Sequence, residues 1–204
     1  MKTARVTGFL VLGGLLLLLA ACARTPLQPE PEGGWEQRRQ ALDAIVDWEL
    51  SGRIAIIGPE DSFNAMLNWR QRREHYEIRM RGPLGQGGLV LRRDDRQVHL
   101  SDGEHEMTAP DAKTLLRRLG LGLPLGGLRY WIRGLPQPGV PSGMTRDARG
   151  RLTSLQQAGW EIRFLRYRAY HGLDLPAKVF LQGHGYKVRV LVHDWRFSTG
   201  EDRP

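Results

Sequence analysis

The chain has 204 residues, of which 41% are hydrophobic and 25% are charged. This balance fits one ordinary domain with an N-terminal extension and argues against a disordered chain. The net charge is +8, from 30 basic and 22 acidic residues, which suits nucleic acid, an anionic membrane or an acidic partner. The single cysteine, Cys22, excludes a disulfide within the chain.

Residues 1–21 have the layout of a secretory signal peptide. Lys2 and Arg5 form a basic region, and the apolar run that follows, residues 9–19, is too short for a comfortable membrane span. The letters L-A-A-C, which end at Cys22, resemble the bacterial lipobox. That resemblance implies cleavage before Cys22 and acylation of its thiol and its new amino group. The alternative is an ordinary signal peptide with an incidental cysteine.

The residue after the cysteine is Ala23, whereas aspartate at this position is a signal for retention in the inner membrane. Its absence favours the outer membrane. Cleavage would remove two positive charges and leave +6, and export argues against nucleic acid as a partner. Residues 22–34 include three prolines and two glycines and predict a lipidated tether. We therefore expect a lipoprotein-binding domain over residues 35–204.

Helical spacing of apolar residues predicts a first helix over residues 35–48. The period then changes to two in the stretches 48–56, 63–70 and 75–81. Such one-sided alternation indicates antiparallel strands with one face in water. Gly52 interrupts the apolar face of the first stretch and predicts a bend or a bulge.

The stretch RGPLGQGGLVLRR, residues 81–93, places Leu84 between a proline and a glycine in a predicted turn. A single exposed leucine needs no special cause. The alternative is that Leu84 contacts lipid. Two short strands follow, at 89–93 and 97–101, with a hairpin turn at Asp102-Gly103.

Residues 110–120 predict a helix that begins at Pro110 and Asp111 and ends at Gly120. Its apolar stripe is Leu115, Leu116 and Leu119. A second short helix is predicted near residues 125–133, in a segment with more apolar residues than one stripe needs. Residues 137–143, QPGVPSG, predict a loop.

Strands resume at 151–157, 160–170, 177–182 and 186–195. In the second of these, Phe164 and Leu165 compete for the inner face. Because a large twisted sheet curls, we expect a mainly β (α+β) fold: a curled antiparallel sheet that forms an incomplete barrel, capped by a helical lid over an apolar interior. Candidates for lining an acyl cavity, each of which also fits an ordinary core, are Trp48, Leu50, Ile54, Phe63, Leu67, Trp69, Ile78, Met80, Leu115, Leu116, Leu119 and Trp131.

The sequence offers little for catalysis. Its six histidines form no H-x-H or H-E-x-x-H pattern, no serine sits in a G-x-S-x-G context, and the glycines near 85–88 precede no helix. We therefore expect neither an enzyme nor a bound metal or cofactor. An envelope hydrolase would instead need a cluster of polar catalytic groups inside the pocket.

Several motifs resemble the LolB family of outer-membrane lipoprotein receptors. They are W-x-L-S-G-R-I-A at 48–55, Asn68-Trp69-Arg70, G-P-L-G at 82–85, L-P-L-x-x-L-R-Y-W-I-R-G-L-P at 123–136, Gln157-Ala158-Gly159-Trp160, Leu175-Pro176-Ala177-Lys178 and V-R-V-L-V-H-D-W at 188–195. No single motif is specific, but the ordered set behind a lipobox is.

The resemblance implies a hydrophobic cavity that accepts acylated lipoproteins from a soluble periplasmic carrier, LolA, and inserts them into the outer membrane. It implies a lipid-anchored monomer on the periplasmic face, and it points to Leu84 as a protruding residue that touches outer-membrane lipid. The alternative is an envelope lipoprotein of the same fold that senses or scaffolds by binding lipid or an acylated ligand. The charge of +6 could orient the protein on an acidic carrier or anionic lipid, or serve only solubility.

Overall fold

The computed structural model describes residues 34–83, 87–120 and 122–197. Within these ranges the chain forms three helices and one antiparallel sheet of eleven strands. The helices are α1 (Gly34–Asp43), α2 (Ala112–Arg118) and α3 (Leu125–Trp131). The strands are β1 (Asp47–Ile57), β2 (Ser62–Arg72), β3 (His75–Arg81), β4 (Gly88–Arg93), β5 (Val98–Ser101), β6 (Glu106–Ala109), β7 (Ser142–Arg146), β8 (Leu152–Gln157), β9 (Trp160–Tyr170), β10 (Leu173–Gly183) and β11 (Tyr186–Phe197).

The sheet is open between two strands that are consecutive in the chain. The strand order is β6-β5-β4-β3-β2-β1-β11-β10-β9-β8-β7, so the first and last strands pair in the middle and β6 and β7 form the edges. Residues 110–141, which we call the lid, connect these edges and carry α2 and α3. The predicted incomplete barrel with a helical lid is confirmed.

Alternation of buried and exposed residues along the strands produces the inner face of the sheet. In β1, Leu50 lies opposite Trp69 and Ile54 lies opposite Ala65, and all four side chains are buried. Trp48 packs against Trp69 and Trp195 with ring centroids 5.1 and 5.3 Å apart. The outward residues of the same strands are mostly polar, as one-sided alternation predicts.

Gly52 marks a bulge in β1, as its place in the sequence predicted. The register against β11 shifts between Ser51 and Gly52. A Cβ atom at Gly52 would collide with the backbone carbonyl of Leu191. The close approach of two strands therefore requires glycine here.

The first predicted helix was too long. It was expected over residues 35–48, but α1 ends at Asp43 and β1 begins at Asp47. Trp48 belongs to the strand, where it joins the tryptophan cluster. Beyond α1 the helical spacing no longer marks one buried face, because Ile45 is buried whereas Val46 is exposed.

Neither edge strand was given bounds from the sequence, although the hairpin turn predicted at Asp102-Gly103 does join β5 to β6. β6 has only four residues, too few for alternation to be distinctive. All five residues of β7 are exposed, so this strand lacks a buried face, and its start falls in the predicted loop at 137–143. At β9 the structure resolves the ambiguity, since Phe164 points inward and Leu165 is 52% exposed.

Residues 32–204 form one compact unit, and its buried hydrophobic residues lie between Leu42 and Trp195. This part of the chain therefore contains the core of the described fold. In the described ranges, no helix is long and apolar enough to cross a membrane.

Candidate functional site beneath the lid

The inner face of the sheet and the underside of the lid enclose an apolar interior. The sheet contributes alternating residues of five adjacent strands, which are Ile54, Leu67, Trp69, Ile78, Met80, Leu91 and Val190. The lid contributes Leu116, Leu123, Leu125, Leu128 and Ile132. Every residue that lines this interior is hydrophobic, so the surface that it would offer to a ligand suits hydrocarbon.

The interior is almost filled by its own side chains. The cavity that remains measures about 20 Å³. A space of this size is enough for a single water molecule and far too small for an acyl chain. The described conformation is therefore closed.

Gln157, at the end of β8, fastens one end of the lid. Its side-chain oxygen accepts hydrogen bonds from the Trp131 indole N–H at 2.7 Å and the Gln137 backbone N–H at 2.8 Å. Its amide nitrogen donates to the backbone carbonyls of Gln137 and Val140 at 3.0 and 2.8 Å. This buried amide is thus fully hydrogen-bonded, which is the condition under which burial of a polar group is tolerated.

Arg133 joins the same end of the lid to α1. Its guanidinium donates to the backbone carbonyls of Leu42 and Ile45 at 2.9 and 2.8 Å, and its Nε donates to the Arg129 carbonyl at 3.1 Å. Burial lowers the pKa of Arg133 to about 10, which leaves the group charged at neutral pH. An arginine that satisfies carbonyls at a helix end stabilises that end.

A surface ion pair adds to the attachment of α3. The Arg129 guanidinium lies 2.7 Å from the Glu74 carboxylate in the turn between β2 and β3, and this contact lowers the pKa of Glu74. Arg129 also donates to the Tyr130 hydroxyl at 3.0 Å and lies over the Tyr130 ring. Three separate contacts, through Gln157, Arg133 and Glu74, therefore hold the α3 end of the lid.

The α2 end of the lid has a lighter attachment. The Asp111 carboxylate caps α2 by accepting from the Thr114 backbone N–H at 2.8 Å, as its position in the sequence predicted. Leu115 and Leu116 are buried. Beyond α2, the Tyr186 hydroxyl donates to the Gly120 carbonyl at 2.5 Å. Apolar packing, with the buried Leu115 and Leu116, and the hydrogen bond from Tyr186 therefore hold this end.

The predicted cavity residues divide into three groups. Ile54, Leu67, Trp69, Ile78, Met80 and Leu116 line the interior. Trp48, Leu50, Leu115 and Trp131 are buried elsewhere in the core, and Phe63 is partly buried against it. Leu119 was expected in the buried stripe of α2, but its side chain is 36% exposed. The reason is that α2 ends at Arg118, before Leu119 turns inward.

Six lining residues were not singled out from the sequence: Leu91, Leu123, Leu125, Leu128, Ile132 and Val190. Four of them lie in or next to the second predicted helix, where the sequence analysis noted a surplus of apolar residues, and that surplus was the available signal. Leu91 and Val190 lie in predicted strands. Alternation predicts which face of a strand is buried, but it does not predict which residues of the lid face that side.

The ionisable groups of the described residues do not converge inside this site. Among those residues, no three His, Cys, Asp or Glu side chains lie close enough to hold a metal ion. Two further predicted positions, Cys22 and Leu84, lie outside the described residues, as do the signal peptide and nearly all of the tether.

Two solved structures share the fold. A DUF1329 family protein from Desulfovibrio piger matches with a TM-score of 0.52 at 7% identity, covering 85% of this chain and 95% of that protein. A LolA superfamily protein from Nitrosomonas europaea matches with a TM-score of 0.51 at 9% identity, covering 81% and 94%. At such low identity the likeness shows the fold alone.

Sequence comparison identifies the family. The family described as "Outer membrane lipoprotein LolB" matches residues 46–195. The chain is 41% identical over 191 residues to the outer-membrane lipoprotein LolB of Nitrosococcus oceani, covering 90% of this chain and 94% of the relative. It is 35% identical over 190 residues to that of Stutzerimonas stutzeri, covering 89% and 92%. The resemblance seen in the sequence motifs is therefore confirmed, and the chain belongs to the LolB family of outer-membrane lipoproteins.

Proposed function

We propose that this protein is an outer-membrane receptor that accepts acylated lipoproteins from a LolA-like periplasmic carrier and inserts them into the outer membrane. One observation carries the proposal: an interior lined only by hydrophobic residues lies beneath a lid that bridges the open side of the sheet. The acyl chains of the cargo take the space that opens when the lid moves. The protein acts as a monomer that meets one carrier at a time.

The cost of exposing acyl chains to water explains why such a container is needed. Burial of one methylene is worth roughly 0.8 kcal/mol. Three acyl chains hold on the order of 45 methylenes, so their exposure costs up to ~35 kcal/mol. The sequence contains no ATP-binding motif. Transfer therefore runs downhill, from the carrier to a site of higher affinity and then to the bilayer.

The N-terminal segment supplies the address and the anchor. We propose that residues 1–21 are removed, that Cys22 carries the acyl groups, and that residues 22–34 tether the domain of residues 35–204 to the periplasmic face of the outer membrane. Cys22 anchors the protein and takes no part in cargo acceptance. Leu84 touches the bilayer while cargo leaves.

An uptake experiment tests the receptor. A form of the protein that begins at residue 32, the start of the compact unit, is mixed with carrier that holds a radiolabelled lipoprotein. We expect the label to move to this form, which is then separated from the carrier and counted. If the label stays on the carrier, the proposed function is wrong, and correct sorting of other lipoproteins in depleted cells would favour a sensor or scaffold.

A further inference from the structure

The outer face of the sheet is divided into two halves of different charge. The half nearer the turn between β2 and β3 pairs its arginines with acids. Arg70 and Arg72 lie 2.8 and 3.0 Å from Glu49, and Arg79 lies 2.8 Å from Glu77. In this half each of these arginines has an acidic partner, as on an ordinary solvated surface.

The other half carries basic side chains without acidic partners. Cross-strand pairing places Met66 beside Arg81 and Arg53, and Leu191 beside Arg53 and Lys178. Lys178 in turn pairs with Arg166, and Arg189 lies one row away, opposite Ala55 and Phe180. We call Arg53, Arg81, Arg166, Lys178 and Arg189 the basic stripe. Within the described ranges, none of these five side chains forms an ion pair.

The basic stripe alternates with exposed or half-exposed apolar side chains. Met66 is 43% exposed, and Leu191 and Phe180 are partly exposed. The stripe crosses six adjacent strands from β3 to β9, a span of roughly 24 Å at the usual spacing between strands. Cations interleaved with apolar groups suit a bilayer surface, where phosphates and hydrocarbon lie close together.

A groove lies between the stripe and the hairpin that joins β3 to β4. It measures about 830 Å³, and its walls include Arg53, Arg81, Arg189 and Met66 on the sheet and Gly82 and Pro83 on the hairpin. The hairpin and the stripe therefore border the same space. A membrane that meets one of them also meets the other.

We propose that the basic stripe binds the phosphate headgroups of an anionic phospholipid bilayer and lays this face of the sheet against the membrane. Arginine binds phosphate oxygens in a bidentate fashion, and clustered cations are attracted to anionic bilayers. The apolar side chains between the cations reach the glycerol level. This inference rests on the proposed function only in that the receptor works at a membrane. An acidic face of the carrier is the competing partner, and the interleaved apolar residues favour the bilayer.

Vesicle binding in the absence of carrier and cargo tests the proposal. The form that begins at residue 32 is sedimented with vesicles of phosphatidylcholine mixed with phosphatidylglycerol, and with vesicles of phosphatidylcholine alone. We expect binding to the anionic vesicles only. The double variant Arg53→Gln/Arg189→Gln should lower the partition coefficient roughly 30-fold, and high salt should remove this difference.

The matched control is Arg96→Gln/Arg149→Gln, which removes the same charge from two exposed turns at the opposite end of the sheet. We expect its partition coefficient to stay within about twofold of the unchanged protein. Thermal unfolding of both double variants verifies that each is folded.

Three results would overturn the proposal. The first is an equal loss of vesicle binding in the two double variants, and the second is equal binding of the protein to the two kinds of vesicle. The third is unchanged vesicle binding by Arg53→Gln/Arg189→Gln together with slower uptake of cargo from the carrier. The last result would assign the stripe to carrier docking. Because the vesicle assay contains no cargo, its failure leaves the receptor proposal standing. Conversely, failure of cargo uptake leaves the membrane-binding result intact.

Discussion

At the residue scale, Gln157 links the lid to the sheet through four hydrogen bonds. The change Gln157→Leu keeps the volume but leaves two N–H groups and two carbonyls without their partner. We expect a loss of about 3 kcal/mol in the free energy of unfolding, measured in urea. The control is Gln156→Leu at the exposed neighbouring position, where the change should stay within about 0.5 kcal/mol. Equal losses in the two variants would contradict the role of Gln157.

Leu84 is a second residue whose role can be isolated. The change Leu84→Glu places a charge in the segment between β3 and β4, where the sequence predicts a turn. We expect the variant to fold and to accept cargo at the normal rate, but to deliver it to vesicles at least about tenfold more slowly, because a carboxylate resists entry into the bilayer. The measurements are label uptake from the carrier and label transfer to vesicles. If Leu84→Glu unfolds the domain, Leu84 is a core residue and the proposed membrane contact is wrong.

At the element scale, the two helices of the lid differ in how firmly they are held. Side-chain polar contacts of Trp131, Arg133 and Arg129 hold the α3 end of the lid. At the α2 end, the hydrogen bond from the Tyr186 hydroxyl to the Gly120 carbonyl is the polar contact with the sheet. Segments with few anchoring contacts open at lower free energy. We therefore expect α2 to swing away from the sheet while the end of α3 acts as the fixed side of the hinge.

Hydrogen exchange checks this order of opening. Backbone amides of α2 should exchange faster than those of α3. The change Tyr186→Phe should make exchange in α2 about fivefold faster still, because it removes one hydrogen bond worth about 1 kcal/mol. The control is Tyr170→Phe. The Tyr170 hydroxyl donates to the His193 carbonyl at 3.4 Å, and this hydrogen bond lies away from the lid. Faster exchange in α3 than in α2 would contradict this description of the hinge.

The sequence predicted the elements that have a distinctive local pattern. Alternation over seven to eleven residues identified β1, β2, β3 and β9, and Asp111 marked the start of α2. It missed β7, which is exposed along its whole length and joins the sheet by pairing with β8. An edge strand of this kind forms because it pairs with a neighbouring strand, and its own residues carry no pattern that predicts this pairing.

At the scale of the whole molecule, the open sheet and its lid form one container. Pairing of β1 with β11 leaves β6 and β7 as edges, and the lid lies in the connection between them. Sequence reasoning predicted this architecture from the run of strands around one helical insert. Six of its candidate residues line the interior, but Leu123 and Leu128 were not singled out, because which side of a short helical segment meets the sheet depends on the hydrogen bonds of Gln157 and Arg133.

The central claim is that cargo acyl chains enter the interior beneath the lid, and one crosslinking measurement tests it directly. Methionine is replaced throughout by its photoreactive diazirine analogue, and the protein is loaded from carrier and irradiated. Met80 lines the interior, whereas Met66 and Met144 are exposed on the sheet. We predict that mass spectrometry finds the acyl chains attached at Met80 and not at Met66 or Met144. Attachment at Met66 or Met144 with none at Met80, while cargo still transfers, would contradict the claim.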